Sequence, residues 1–277
     1  MRSAWAVCKR ELVSFFTTPV GYVIVGTYAA IAGLGFAASF TEFCAITVNP
    51  AEKGYEGIPK LEELLISPYL LFCGQLLMFI GPLITMRLLA EERSRGTMEL
   101  LLTYPLRDRD IVFGKFGAAL GIVLVLMAIV GVHLAVVGVY TDVEPAVLAF
   151  GLLTLFLMSA AFMSLGLFVS AWTRNAVTAG VVTFALWFIS YIVGTFGQSL
   201  PGAPANIPAQ LGVNAGRAIG FMWGIFRQLV VELPLDRHAE RMAQGIVQPQ
   251  DIAYYLLFTV FFLFLTFRAL ESRRWRA

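Results

Sequence analysis

The chain has 277 residues, 58% of them hydrophobic and 14% charged, with 20 Lys and Arg against 18 Asp and Glu for a net charge of +2. Soluble domains carry about 25% charged residues, so this composition excludes a soluble globule, whose surface these charges could not cover, and a disordered chain, which needs high charge and low hydrophobicity. Three cysteines are too few for a disulfide scaffold, and a mean hydropathy of +0.78 leaves a polytopic membrane protein.

Residues 1–18 alternate Trp5, Val7, Cys8, Leu12, Phe15 and Phe16 with Arg2, Lys9, Arg10 and Glu11. This is the pattern of an amphipathic helix lying in a membrane interface. Pro19 breaks it before the first apolar run, the alternative being a longer first helix. A helix needs about 20 apolar residues to cross the hydrocarbon. Charge-free runs of that kind lie at 12–41, 64–86, 116–141, 145–173, 175–216 and 252–270. Pro201, Pro204 and Pro208 confine the spanning part of the fifth to about 176–196. The expected fold is an all-α polytopic membrane protein. Its six transmembrane helices are placed at 20–41, 68–88, 114–140, 146–172, 176–197 and 251–270. The period-two alternation of a membrane barrel is absent, and no internal repeat or separate soluble domain is apparent.

Six spans put both ends on one side. With the N-terminus cytoplasmic, the inward segments hold 14 of the 20 basic residues and the outward segments hold 11 of the 18 acids. The Lys/Arg bias therefore predicts N-in, C-in. A cleaved signal peptide fits poorly, because the first apolar run is too long and Glu11 interrupts its approach. Arg273, Arg274, Trp275 and Arg276 read as an anchor at the inner surface, with anionic lipid as a secondary contact.

Catalytic chemistry is not indicated. The two histidines, His133 and His238, lack the spacing of a zinc pair. His133, inside the third span, reads as a packed, hydrogen-bonded residue. No nucleophile elbow is present. Arg109 stands where a phosphate-cradling loop ending in Gly114-Lys115 needs glycine, and Phe116 follows where it needs Ser or Thr. The chain should therefore not hydrolyse ATP. Nothing suggests a metal site, and no basic stripe with interleaved aromatics points to nucleic acid. Cys44 and Cys73 would both lie toward the external side, which leaves a disulfide between them open.

The segment 87–115 is the most informative. It packs six basic and five acidic residues into 29 positions, whereas a simple turn between helices needs about 2–8. Met98, Leu101 and Leu102 recur at helical spacing. Thr97 is placed to cap a short helix with Glu99 in its first turn, and Pro105 ends it. The segment is either a docking surface or a solvated charged loop.

The run Glu91-Glu92-Arg93-Ser94-Arg95-Gly96-Thr97-Met98-Glu99, with its following leucines, Pro105 and Gly114-Lys115, resembles the signature of ABC-2-type transporter permeases. These are the membrane subunits of ATP-binding-cassette exporters. Lys9 to Leu12, with Phe15, Phe16, Pro19 and Tyr22, resembles that family's N-terminal elbow helix. The tail from His238 through Asp251, Tyr254, Tyr255 and Glu271 to Trp275 resembles its gliding-motility-type branch. The resemblance implies a permease that pairs with a second copy or a paralogue above two ATPase subunits, with ATP and Mg held by those subunits and no cofactor in this chain. It also implies a location in a bacterial inner membrane. The coupling element, 91–105, would meet the ATPase through Arg87, Glu91, Glu92, Arg93, Arg95, Gly96, Thr97, Glu99 and Pro105. Exposed charges there would set partner choice and register, with Glu92 and Glu99 expected to touch the ATPase and Gly96 permitting a sharp turn. The alternative function is a non-transporting relay that passes ATPase work to an external or periplasmic partner.

The outward part near 197–235 is longer than a compact member of the family would need. Gly212, Gly216, Gly220 and Gly224 recur every four residues, a smooth strip of the kind that lets membrane helices approach closely. A re-entrant or interfacial helix is expected over 205–250, packed against a span or the partner subunit. A seventh span is the alternative, disfavoured by Asn214, Arg217 and Arg227. The amphipathic stretch 235–247 is expected at the outer interface.

Overall fold

The computed structural model describes residues 2–55, 57, 59–94, 96, 107–141, 143–202, 212–245 and 248–274. These form ten α-helices and no strand among the described residues: α1 (Arg2–Thr17), α2 (Pro19–Val48), α3 (Ser67–Leu88, entered through a π-helical turn at Glu62–Ile66), α4 (Ala90–Ser94), α5 (Asp108–Tyr140), α6 (Pro145–Trp172), α7 (Ala176–Gln198), α8 (Gly212–Glu232), α9 (Leu235–Ala243) and α10 (Pro249–Arg274). Six of them, α2, α3, α5, α6, α7 and α10, are long and apolar enough to cross a membrane. They match the expected spans but run longer, α2 to Val48 and α10 from Pro249 to Arg274. At 33 residues α5 is about 50 Å long, some 20 Å more than the hydrocarbon needs.

Helix boundaries follow local chemistry. Prolines stand at the first turn of α2, α3 and α6, where a missing N–H costs nothing. The Asn175 side chain accepts from the N–H of Val177 at 2.8 Å and so caps α7. Inside the bundle the hydroxyls close onto their own helices: Ser159 on Leu155, Ser164 on Ala161, Thr183 on Ala179 and Thr266 on Phe262. Each donor is satisfied without water, as a span requires.

The centre of the bundle is α6 against α3, with α10 on the other side of α6. Glycines set how closely the helices meet. A Cβ on Gly166 would lie 2.3 Å from Thr85 Oγ1, one on Gly151 2.5 Å from Leu70 Cδ1, and one on Gly35 2.2 Å from Phe72. Tyr28, Tyr69 and Cys73 are fully buried between α2 and α3. As expected, His133 is packed and bonded, with Nδ1 2.5 Å from the Tyr69 hydroxyl and its ring stacked on Phe36. Cys44 is an exposed free thiol, while Cys8 and Cys73 are buried free thiols.

The break at Thr18 separates α1 from the first span, and α1 lies along α5. Its neighbours there are glycines. A Cβ on Gly114 would sit 2.7 Å from Val7 Cβ and 2.8 Å from the Ala4 carbonyl oxygen, and one on Gly121 2.9 Å from Leu12. Cys8 Sγ lies over Gly117. Val7, Cys8 and Phe15 are buried by this contact.

At the opposite end α8 folds back on the end of α7. A Cβ on Gly197 would meet Val230 at 2.8 Å, Trp223 Nε1 donates to the Pro201 carbonyl at 3.1 Å, and Arg227 Nε donates to the Leu200 carbonyl at 3.1 Å. Arg227 thus finishes α7 and does not face hydrocarbon. Gly212 and Gly216 lie in α8, but the structure does not describe what surrounds them. A Cβ on Gly220 or Gly224 would meet none of the described residues within 4 Å, so among them the strip presses on no span at those two positions. The stretch expected flat on the outer interface is helical only over Leu235–Ala243. There Leu235, Ala239, Met242 and Ala243 are buried against α6 and α3, so its apolar face is spent on the bundle.

Replacing Gly114 with Val should displace α1, because the obstructing Ala4 oxygen is backbone and cannot move aside, and should cost on the order of 2 kcal/mol. Gly131→Ala in the same helix, where a Cβ meets nothing within 4 Å, should be neutral or slightly stabilising. Thermal unfolding of the two purified variants checks the contrast.

Candidate functional site

The ends of α3, α6 and α10 and the starts of α5 and α7 meet at one pole of the bundle, with α1 and α4 packed among them. The chain leaves α3 at Leu88, turns at Leu89 and starts α4 at Ala90. A helix start exposes N–H groups that need acceptors. Ser170, in the last turns of α6, supplies one: its Oγ accepts from Leu89 N at 3.1 Å and from Ala90 N at 2.9 Å. Arg93 Nη1 donates to the Thr173 carbonyl at 2.9 Å. Both ends of α4 are therefore fastened to α6. Gly96 closes the turn, its N–H donating to the Arg93 carbonyl at 3.0 Å with φ +69°. Only glycine adopts that conformation at little cost.

On this platform sits a four-charge cluster. Lys115 Nζ, from the first turns of α5, lies 3.0 Å from Glu11 Oε1 on α1 and 3.0 Å from Glu92 Oε1 on α4. Arg10 Nη2 lies 2.7 Å from the same Glu11 oxygen and 2.9 Å from the same Glu92 oxygen. Lys115 is 0% exposed, and the two carboxylates are 18% and 19% exposed. Two acids and two bases cancel, which is the condition for keeping a lysine out of water. Burial works against the Glu11 carboxylate, but Lys115 and Arg10 outweigh it and hold the group below the usual carboxylate range. The same acids hold the Arg10 guanidinium above its ordinary value against burial.

The expected site residues divide. Arg87 lies in the last turn of α3, partly buried, and Glu91, Glu92 and Arg93 lie on α4. Gly96 is exposed beyond them. Arg95, Thr97, Glu99 and Pro105 lie outside the described residues. Glu92, expected to point at a partner, is turned inward and joins α4 to α1 and α5. Sequence reasoning missed the roles of Arg10, Glu11, Ser170 and Lys115. The available signal was Lys115 itself, a cation between two glycines at the head of a run with no other charge until after Thr141.

The sequence profile of the ABC-2 family transporter proteins matches residues 9–273, which takes in the whole of this pole and all six apolar helices. The chain belongs to the ABC-2 transporter family. Among its relatives is a probable ABC transporter permease protein NosY of Stutzerimonas stutzeri, 26% identical over 208 residues, a match that covers 70% of this chain and 68% of that protein. A probable NosY permease of Pseudomonas aeruginosa is 32% identical over 121 residues, covering 40% of this chain and 44% of that one. The ABC-2 chain is thus a multi-pass membrane subunit of an ABC transporter.

Because the Glu11 carboxyl is held low, its contribution is complete above the ordinary glutamate range, near pH 4.3, and is lost as pH falls through its lower folded value. Lys115→Met should cost roughly 3 kcal/mol at neutral pH by stranding two partly buried carboxylates. That deficit should shrink on acidification below about pH 4, as the Glu11 carboxylate protonates. Thermal unfolding of wild type and variant across pH checks both the loss and its direction.

Proposed function

We propose that this chain is the permease of an ABC-2 exporter, moved by ATP hydrolysis on a separate subunit, and that the pole built around Lys115 is where that subunit grips it. The observation that carries the reading is the fusion of α1, α4 and the start of α5 through one buried lysine, with α4 itself forming the first part of the coupling element 91–105. A push on that element enters α4. Ser170 and Thr173 pass it to α6, and Lys115 passes it to α5, both of them spans; Arg10 and Glu11 carry it to α1, which leads into the first span. The four-charge cluster costs desolvation to maintain, and a rigid joint between three helices is a return that an ordinary apolar contact would not give as specifically.

The sequence contains no phosphate-binding loop of its own, in keeping with hydrolysis on the partner. The Lys/Arg bias of this pole supports a cytoplasmic side for it, with both termini inside, and the family supports a bacterial inner membrane as the location. A second permease, identical or paralogous, completes the pathway. The Gly220 and Gly224 face of α8, which no described residue covers, suits close approach by such a copy or by an external accessory protein. The cargo is the substrate of the assembled pair.

A photo-crosslinking amino acid at Ser94, exposed at the end of α4, in the chain co-expressed with its ATPase in membranes, should give a nucleotide-dependent adduct with an ATP-binding-cassette protein. The same probe at Glu52, exposed in the loop after α2, should give none. No adduct at 94, or equal adducts at both positions, would overturn the assignment.

A further inference from the structure

At the pole opposite the coupling site, His238 of α9 is held between the end of α8 and the start of α10. Its Nδ1 lies 2.7 Å from Asp251 Oδ1, and its Nε2 lies 3.0 Å from the Glu232 carbonyl oxygen. The ring stacks on Tyr254 at 4.1 Å between centroids, with Tyr255 edge-on at 6.3 Å. Asp251 is fully buried and His238 almost so. The tyrosines have their own acceptors: Tyr254 donates to the Leu233 carbonyl, and Tyr255 to the Leu235 carbonyl at 2.5 Å.

A carbonyl oxygen has no proton to give, so Nε2 must donate. A proton must also lie between Nδ1 and the carboxylate. A neutral imidazole facing a carboxylate holds one proton between them, whereas this geometry demands two. Remove one, and a nitrogen lone pair is left facing an oxygen in a buried site, a contact that repels instead of binding. We infer that His238 and Asp251 form a proton-operated latch that fastens the α8–α9 corner to the start of the last span, closed when the pair carries its second proton and released when it is lost.

The surroundings make the pair the titrating unit. Around His238, α10 contributes Asp251, Tyr254 and Tyr255, and α8 contributes Glu232, whose carboxylate Oε2 is 3.8 Å from Nε2. On α9 itself, Asp236, Arg237 and Glu240 line a neighbouring cavity of about 200 Å3 with Gln75 of α3 and Tyr191 of α7. Between Pro145 and Trp172, α6 has no ionisable side chain at all. The latch needs its second proton, so it is present at lower pH and lost when that proton leaves as pH rises. The compartment sensed is the one at this pole, the external side in the topology proposed above.

The test is hydrogen exchange of the full chain in lipid nanodiscs, corrected for the intrinsic pH dependence of exchange. Peptides covering 229–243 are compared at about pH 5 and about pH 8, the range in which histidine changes charge. Wild-type protection should fall by on the order of tenfold at the higher pH, the loss of one hydrogen bond to a charged group. His238→Gln should keep a single pH-independent level. Asp251→Asn should abolish the transition, because an amide N–H can donate to the neutral Nδ1 while Nε2 still donates to the Glu232 carbonyl. That loss is read independently should His238→Gln fail to fold. Protection in wild type that does not change with pH, or a transition that persists in Asp251→Asn, would overturn the latch.

Discussion

A lysine removed from water must be matched in charge, and Lys115 is matched twice, by Glu11 and Glu92 at 3.0 Å each. Much of the architecture of this pole follows from that requirement. The two carboxylates come from helices that are far apart in sequence, so burying the lysine forces α1 and α4 together over the start of α5. A second cation, Arg10, then neutralises the remaining charge from the solvent side, where it is half exposed. A pair of apolar residues could supply comparable stability, but it would not fix which helix end meets which.

Close packing makes the charge cluster reachable. Gly114, Gly117 and Gly121 remove side chains from one strip of α5, and α1 settles into the gap with Val7, Cys8 and Leu12. Without that approach the Glu11 carboxylate would stand too far from Lys115. The same device recurs at Gly151 and Gly166 between α3 and α6 and at Gly197 between α7 and α8. Each is a point where a side chain of the neighbouring helix fills the space a Cβ would take, which suits association in lipid, where there is no hydrophobic force between spans.

The six apolar helices, the break at Pro19 and the packed role of His133 were legible in the sequence, because length, charge-free runs and proline act locally. Contacts between distant segments were not. The Gly-every-four pattern of 212–224 suggested a packing strip, yet Gly220 and Gly224 have no neighbour among the described residues. The glycines that do set helix approach, at 114, 121, 151, 166 and 197, follow no single period, because each answers to a different partner helix. Glu92 shows the same limit. Its place beside Glu91 and Arg93 suggested an outward charge, and only the position of Lys115, 23 residues later, turns it inward. The amphipathic 235–243 stretch has the composition of an interfacial helix, and its apolar face was claimed instead by α6.

The two poles contrast in their chemistry. One is a charge-balanced joint between three helices. The other holds a small helix, α9, over the bundle by hydrogen bonds to carbonyls and to a buried aspartate. The central claim is that α1, α4 and the start of α5 move as a single body. Its most direct test is the distance between spin labels at Lys9 and Ser94, both exposed, in the permease assembled with its ATPase, with and without ATP. A separation that stays fixed, while the distance from Ser94 to a label at the α9 pole changes, is the predicted result. A Lys9–Ser94 distance that changes on ATP binding would contradict the account.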